Sequence, residues 1–149
     1  LAQDLKDSLI GARGVLLRGR IATETGDFDD ARQHLTAALL MSRSAHDQAG
    51  IVWAVLGLAT LSHHVADFED VAFLHGVAEC VRSGLDVELP VVARRRAEAE
   101  FAAAAEHLGE QTANQLWETG RDAGYDAAIA LSDQRSVSIR SAMSSASWM

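Results

Sequence analysis

The sequence TGDFDDA at residues 25–31 returns as VADFEDV at residues 65–71, 40 positions later. In both copies an acidic residue and a phenylalanine follow a small residue, and a pair of acidic residues comes directly after the phenylalanine. A small residue followed by aspartate is typical of one helix ending and the next beginning. Because a repeat of this length is typical of stacked supersecondary units, the pair predicts two consecutive helical hairpins.

The residues on both sides of each corner have the composition and spacing of helices. Alanine is abundant, Pro90 is the only proline, and alternating β-branched runs are nearly absent, which favours helix throughout. The first stripe at helical spacing is formed by Leu5, Leu9, Ala12, Leu16 and Ile21. We expect an all-α chain of three hairpins and about seven helices, at residues 3–24, 27–43, 47–64, 67–83, 90–107, 110–119 and 125–131. Gly120 and Gly124 are expected to flank the turn after the sixth helix.

Length and charge limit the classes of function. The 149 residues, 48% apolar and 23% charged, are typical of one globular domain, which we expect at 1–132 with a flexible serine-rich tail at 133–149. Thirteen basic against 21 acidic residues give a net charge of −8, which disfavours direct binding to nucleic acid or to an anionic membrane. Cys80 alone forms no internal disulfide and fits the cytoplasm. Because the chain begins with Leu1, we expect an excerpt of a longer protein.

The two corners resemble the inter-helix turn of tetratricopeptide repeats. Two helices of a hairpin cross closely only where side chains are small, and the aromatic fills the gap beside the turn. On this alignment Ala66 and Val71 depart from the usual glycine and small residue. The resemblance implies three hairpins stacked in a right-handed array. Its repeat-defining positions are filled by Gly19, Gly26, Phe28, Ala31 and Ala38 in the first copy and by Ala59, Phe68 and Ala78 in the second.

Residues 28–131 are also similar to the C-terminal helical region of large bacterial signal-transduction ATPases. In that family a nucleotide-binding domain precedes tetratricopeptide-like repeats, and a LuxR-type DNA-binding domain often follows. Phe73 and His75 stand where the family favours small residues and leucine. The resemblance implies a cytoplasmic module of a transcriptional regulator whose partner is a protein, a peptide or the adjacent ATPase domain. It is carried by GVAECVR at 76–82, LP at 89–90, LGE at 108–110, WETGR at 117–121 and YDAAIAL at 125–131.

The concave face of such an array is where the family binds its ligands. If the repeat positions carry over, the first helices of two hairpins present charged and aromatic side chains to this face. Guanidinium groups can donate to carboxylates, and an indole is a rigid apolar anchor. The same side chains could equally form ordinary packing between repeats, so both interpretations stay open. The predicted groove residues are Arg13, Leu16, Arg20, Thr23, Glu24, Trp53, Leu56, Thr60, His63 and His64.

Motifs for catalysis are weak. The glycines at 11–14 lack the lysine and the preceding strand of a phosphate-binding loop. His63 and His64 with Asp67 fit no closed tetrahedral set of metal ligands. We therefore expect no metal, no cofactor and no enzymatic activity. A self-associating helical scaffold, in which exposed end helices form a homodimer, is the second interpretation, and a metal-dependent enzyme centred on His63, His64 and Asp67 is a distant third.

Two further features have a plain structural interpretation. Cys80 lies on an apolar helix and is expected in the core. The basic run at 94–96 is followed four residues later by Glu98 and Glu100, which predicts a solvated helix face with balanced charge.

Overall fold

The computed structural model describes residues 2–85 and 88–132, and every regular element within them is an α-helix. The predicted all-α chain of helical hairpins is confirmed. The tail predicted at 133–149 lies outside the described residues. The helices are α1 (Ala2–Thr25), α2 (Phe28–Ser44), α3 (Gln48–His64), α4 (Phe68–Ser83), α5 (Val91–Leu108), α6 (Glu110–Ala123) and α7 (125–132).

Each corner phenylalanine is the first residue of the second helix in its hairpin. The ring of Phe28 packs against His64 at the end of α3, with the centroids 6.1 Å apart. The ring of Phe68 stacks on His107 near the end of α5, at 3.9 Å. Both phenylalanines thus contact the last turn of the first helix in the next hairpin. The repeat in sequence is therefore a repeat in contacts as well.

The corners also share a backbone geometry. Gly26 and Ala66 both adopt the left-handed conformation, with φ of 84° and 59°. His46, between α2 and α3, adopts it too, at 54°. In all three turns the amide of the following aspartate donates to the carbonyl five residues earlier, at 2.9 Å, which is the Schellman arrangement. Because the left-handed residues stand at 26, 46 and 66, the 40-residue repeat consists of two 20-residue halves.

The aspartates that follow these turns differ in what their side chains do. Asp47 caps α3, because its Oδ1 accepts from the amide of Gly50 at 3.1 Å. Asp27 instead shares a side-chain hydrogen bond with Asp30, which raises the pKa of Asp27 above its ordinary value.

The first two hairpins pack around Leu35 of α2, which is fully buried. Its side chain fills the space left by Gly19 of α1 and Gly57 of α3, where an added Cβ would lie 2.7 and 2.6 Å from it. Gly19 is thus a close-crossing position, as predicted. Ile21, however, was wrongly expected in the core: it is exposed, and Ala22 is buried instead. The other buried repeat positions are Ala31, Ala38, Ala59 and Ala78.

The third hairpin is held differently, because α6 packs more extensively on α4 than on its partner α5. A Cβ on Gly76 would overlap the carbonyl oxygen of Trp117, and one on Gly120 would overlap that of Phe73. The prediction that the sixth helix ends before Gly120 is therefore wrong, whereas Gly124 does follow its last residue. Gly120 is buried inside α6, which continues to Ala123, because the close crossing with α4 needs a residue without a side chain there.

The last helix, α7, closes the core. Ala128 is fully buried, and Tyr125, Ile129 and Leu131 pack against the core formed by the first four helices. Asp126 lies 3.4 Å from Arg43 of α2 in an exposed ion pair. This helix thus covers apolar surface that would otherwise be open to water.

We predict that Gly120→Ala lowers the free energy of unfolding by about 3 kcal/mol, because the new methyl group must push two helix backbones apart. Urea denaturation measures the change. Gly14→Ala is the matched control: Gly14 is exposed in α1 with open space around it, so alanine there raises stability by about 0.5–1 kcal/mol. Equal effects of the two substitutions would contradict the close crossing.

Candidate functional site

A groove of about 580 Å³ runs along the first helices of the three hairpins, α1, α3 and α5. Three large aliphatic side chains that are more than half exposed, Leu17, Ile21 and Val92, line it. Its volume lies in the range of about 300–1,000 Å³ that is typical of ligand sites. The remaining side chains that matter for its chemistry are Arg20, Glu24, Trp53, Thr60, His75, Arg96 and Glu100.

The floor of the groove is a buried carboxylate. Glu100 of α5 is only 4% exposed. Its Oε2 accepts a hydrogen bond from the Thr60 hydroxyl at 2.8 Å, and its Oε1 lies 3.0 Å from Nε2 of His75. Burying a carboxylate is costly unless it is hydrogen-bonded, and these two partners supply that compensation. Because they belong to α3 and α4, the pair of hydrogen bonds also ties the third hairpin to the second.

The rim of the groove carries basic side chains. Arg20 and Arg96 project from opposite walls, both are exposed, and within the described residues neither forms an ion pair. Glu24 also lines the rim, with its Oε1 4.0 Å from Nε2 of His64. The site is thus positive at the water-exposed opening and carries an acidic group at its buried floor.

A second cavity, of about 460 Å³, lies on the other side of α5 and reaches α4 and α6. One of its two arginines is already paired, because Arg82 donates to Glu79 at 2.9 and 2.5 Å. This hydrogen bonding raises the pKa of Arg82 above its ordinary value. The other charged side chains of this cavity are Arg94, Glu88 and Glu98.

Six of the predicted groove residues line the groove: Arg20, Thr23, Glu24, Trp53, Leu56 and Thr60. The other four, Arg13, Leu16, His63 and His64, lie outside it.

These four residues have other surroundings. Arg13 is exposed to solvent, and Leu16 packs against the core. The ring of His63 meets the Phe68 ring edge-on at 6.2 Å, and His64 packs on the first corner. The two histidines lie at the end of α3, past the end of the groove. Their rings therefore pack on the corner phenylalanines and do not face the groove.

Glu100 and His75 are the site residues that the sequence analysis missed. Glu100 was expected on a solvated face, yet it is buried, and only the basic run at 94–96 and Glu98 are exposed. The sequence does contain one indication that Glu100 is buried. It lies three residues after Ala97 and four before Ala104, and so on the apolar face of α5. His75 likewise interrupts the apolar stripe of α4. Cys80, expected in the core, is only half-buried.

Among residues 2–85 and 88–132, no three histidine, cysteine, aspartate or glutamate side chains converge to hold a metal ion. No helix in this part of the chain is both long and apolar enough to cross a membrane. Comparisons of the chain with models of protein families, with curated proteins and with solved structures find no match. Inference about function therefore depends on the groove itself.

We predict that Thr60→Val lowers the free energy of unfolding by about 2 kcal/mol, because it leaves a buried carboxylate oxygen without its donor. In a Glu100→Gln background the same substitution costs about 1 kcal/mol, since only a neutral hydrogen bond is lost. Urea denaturation of the four proteins gives the coupling between the two side chains. Identical costs in both backgrounds would show that the hydroxyl and the carboxylate do not interact.

Proposed function

We propose that this chain is a non-catalytic protein-interaction and effector-sensing module of a multidomain bacterial transcriptional regulator, and that the groove is its binding face. The observation that carries the proposal is that exposed aliphatic side chains, an indole and two guanidinium groups without an ion pair among the described residues line one groove. Aromatic and arginine side chains surrounded by apolar contacts are typical of residues that dominate binding energy.

The arrangement also suggests how binding would be transmitted. An occupant of the groove contacts all three hairpins, because α1, α3 and α5 each supply part of the wall. It would favour whichever relative position of the hairpins fits it best, and the adjacent ATPase domain of a cytoplasmic regulator would respond to that position. Such coupling requires that the occupant bind the two states with different affinities.

Selection of a displayed library of random twelve-residue peptides against the chain tests the proposal. Fluorescence polarisation then measures the dissociation constant of each selected peptide. We predict that Arg20→Ala combined with Trp53→Ala weakens binding at least about tenfold, which corresponds to about 1.4 kcal/mol. Arg13→Ala, on the same helix but outside the groove, is the matched control and leaves affinity unchanged.

Circular dichroism of the double variant must retain the helical signal of the wild type for this comparison to count. Selected peptides that bind the double variant as tightly as the wild type would contradict the groove as binding face. The regulator part of the proposal has a separate test, because it requires a phosphate-binding loop encoded upstream in the full-length gene.

A second candidate function, a self-associating scaffold, is favoured by one observation on α1. Ile10, Leu17 and Ile21 are each more than half exposed, and their spacing places them on one face of the helix. A second copy of the chain covering this face would form a homodimer. We predict that Ile10→Lys, which lies outside the groove, abolishes any dimer mass seen in light scattering, whereas Lys6→Ala does not. A monomeric wild type would rule this candidate out.

A further inference from the structure

We infer that the floor of the groove is a subsite for an organic ammonium group carried on an aromatic or aliphatic body. Glu100 supplies the charge that recognises it, and Thr60 and His75 hold the carboxylate in position. The inference rests on the proposed function in one respect, that this groove is the binding face, and it specifies the effector as a small amphipathic cation.

The carboxylate of Glu100 can accept more hydrogen bonds than its two partners donate. An ionised carboxylate accepts hydrogen bonds at about four positions, and among the described residues only Thr60 and His75 approach its two oxygens. Each oxygen therefore keeps acceptor capacity while lining a groove large enough for a ligand. A group that both donates hydrogen bonds and carries positive charge satisfies this capacity best, and an ammonium group is such a donor.

The walls of the groove above the carboxylate are aromatic and aliphatic. Trp53 is half-buried and lines the same groove, and an indole face attracts cations by its quadrupole. The aliphatic side chains of Leu17, Ile21 and Val92 line the groove as well. A ligand whose apolar body covers them removes their exposed surface from water while its charged end reaches the floor.

The rim and the floor of the groove carry charges of opposite sign. Arg20 and Arg96 would attract anions, but both are exposed, and water strongly weakens charge interactions at such positions. Glu100 is buried beside the imidazole of His75, whose Nε2 lies 3.0 Å from its Oε1. With a neutral imidazole there the floor carries the negative charge of Glu100, and a buried charge interacts more strongly over the same distance. The carboxylate therefore determines which charged group binds at the floor. The guanidinium groups contact only the part of the ligand that stays at the rim.

Three probes with the same aromatic body test the sign directly: phenethylamine, 2-phenylethanol and 3-phenylpropionate. Isothermal titration calorimetry on the whole chain measures their dissociation constants. The inference expects phenethylamine to bind at least tenfold more tightly than the alcohol, and the carboxylate to bind most weakly. Glu100→Gln keeps the size of the side chain and removes its charge, so it should weaken phenethylamine binding about tenfold and leave the alcohol unchanged.

A second variant keeps the test decisive if Glu100→Gln fails to fold. Arg96→Ala alters only an exposed side chain, and it should raise phenethylamine affinity, because a like charge is removed from the same groove. Arg13→Ala, which lies outside the groove, is the matched control and leaves the affinity unchanged. The inference is overturned if phenylpropionate binds as tightly as the amine, if Arg96→Ala does not raise the affinity of the amine, or if none of the probes binds. Selected peptides that still depend on Arg20 and Trp53 would then leave the proposed function standing.

Discussion

The close approach of helices at glycine is the constraint on which the rest of this structure depends. Leu35 can reach the space between α1 and α3 only because Gly19 and Gly57 present no side chain to it. That contact fixes the distance between the first helices of two successive hairpins. Because the same two helices form two walls of the groove, its width is set by a buried leucine that does not itself line it.

The third hairpin follows the same rule but with different partners. Gly76 and Gly120 bring α4 and α6 into backbone contact, which leaves α5 with only Glu100 and Ala104 buried. This helix packs against an apolar cluster of α4 and α6 through Phe101, Ala104 and Ala105. The two hydrogen bonds of Glu100 add a polar attachment to α3 and α4. The carboxylate at the floor thus serves both the fold, by tying α5 to its neighbours, and the chemistry of the groove.

Much of the helical framework can be predicted from the sequence, because helix ends are local: the turns at Gly26 and Ala66 are marked by a small residue followed by aspartate. The lining of the groove is partly predictable too, since Arg20, Trp53 and Thr60 are among its residues. The burial of Gly120 and Glu100 could not be predicted from local sequence patterns. Their positions depend on which helices meet in three dimensions, and a glycine or a glutamate in a helix has a commoner local explanation than a buried crossing or a buried charge.

The left-handed turns at 26, 46 and 66 carry a consequence for how such a chain can change its length. One 20-residue unit adds a single helix and reverses the direction of everything after it, so the inner side of the array would become its outer side. Two units restore the original direction. Growth or shortening by whole pairs therefore preserves a continuous inner surface, whereas an odd number of units destroys it; viable length variants of this architecture should differ by even numbers of helices.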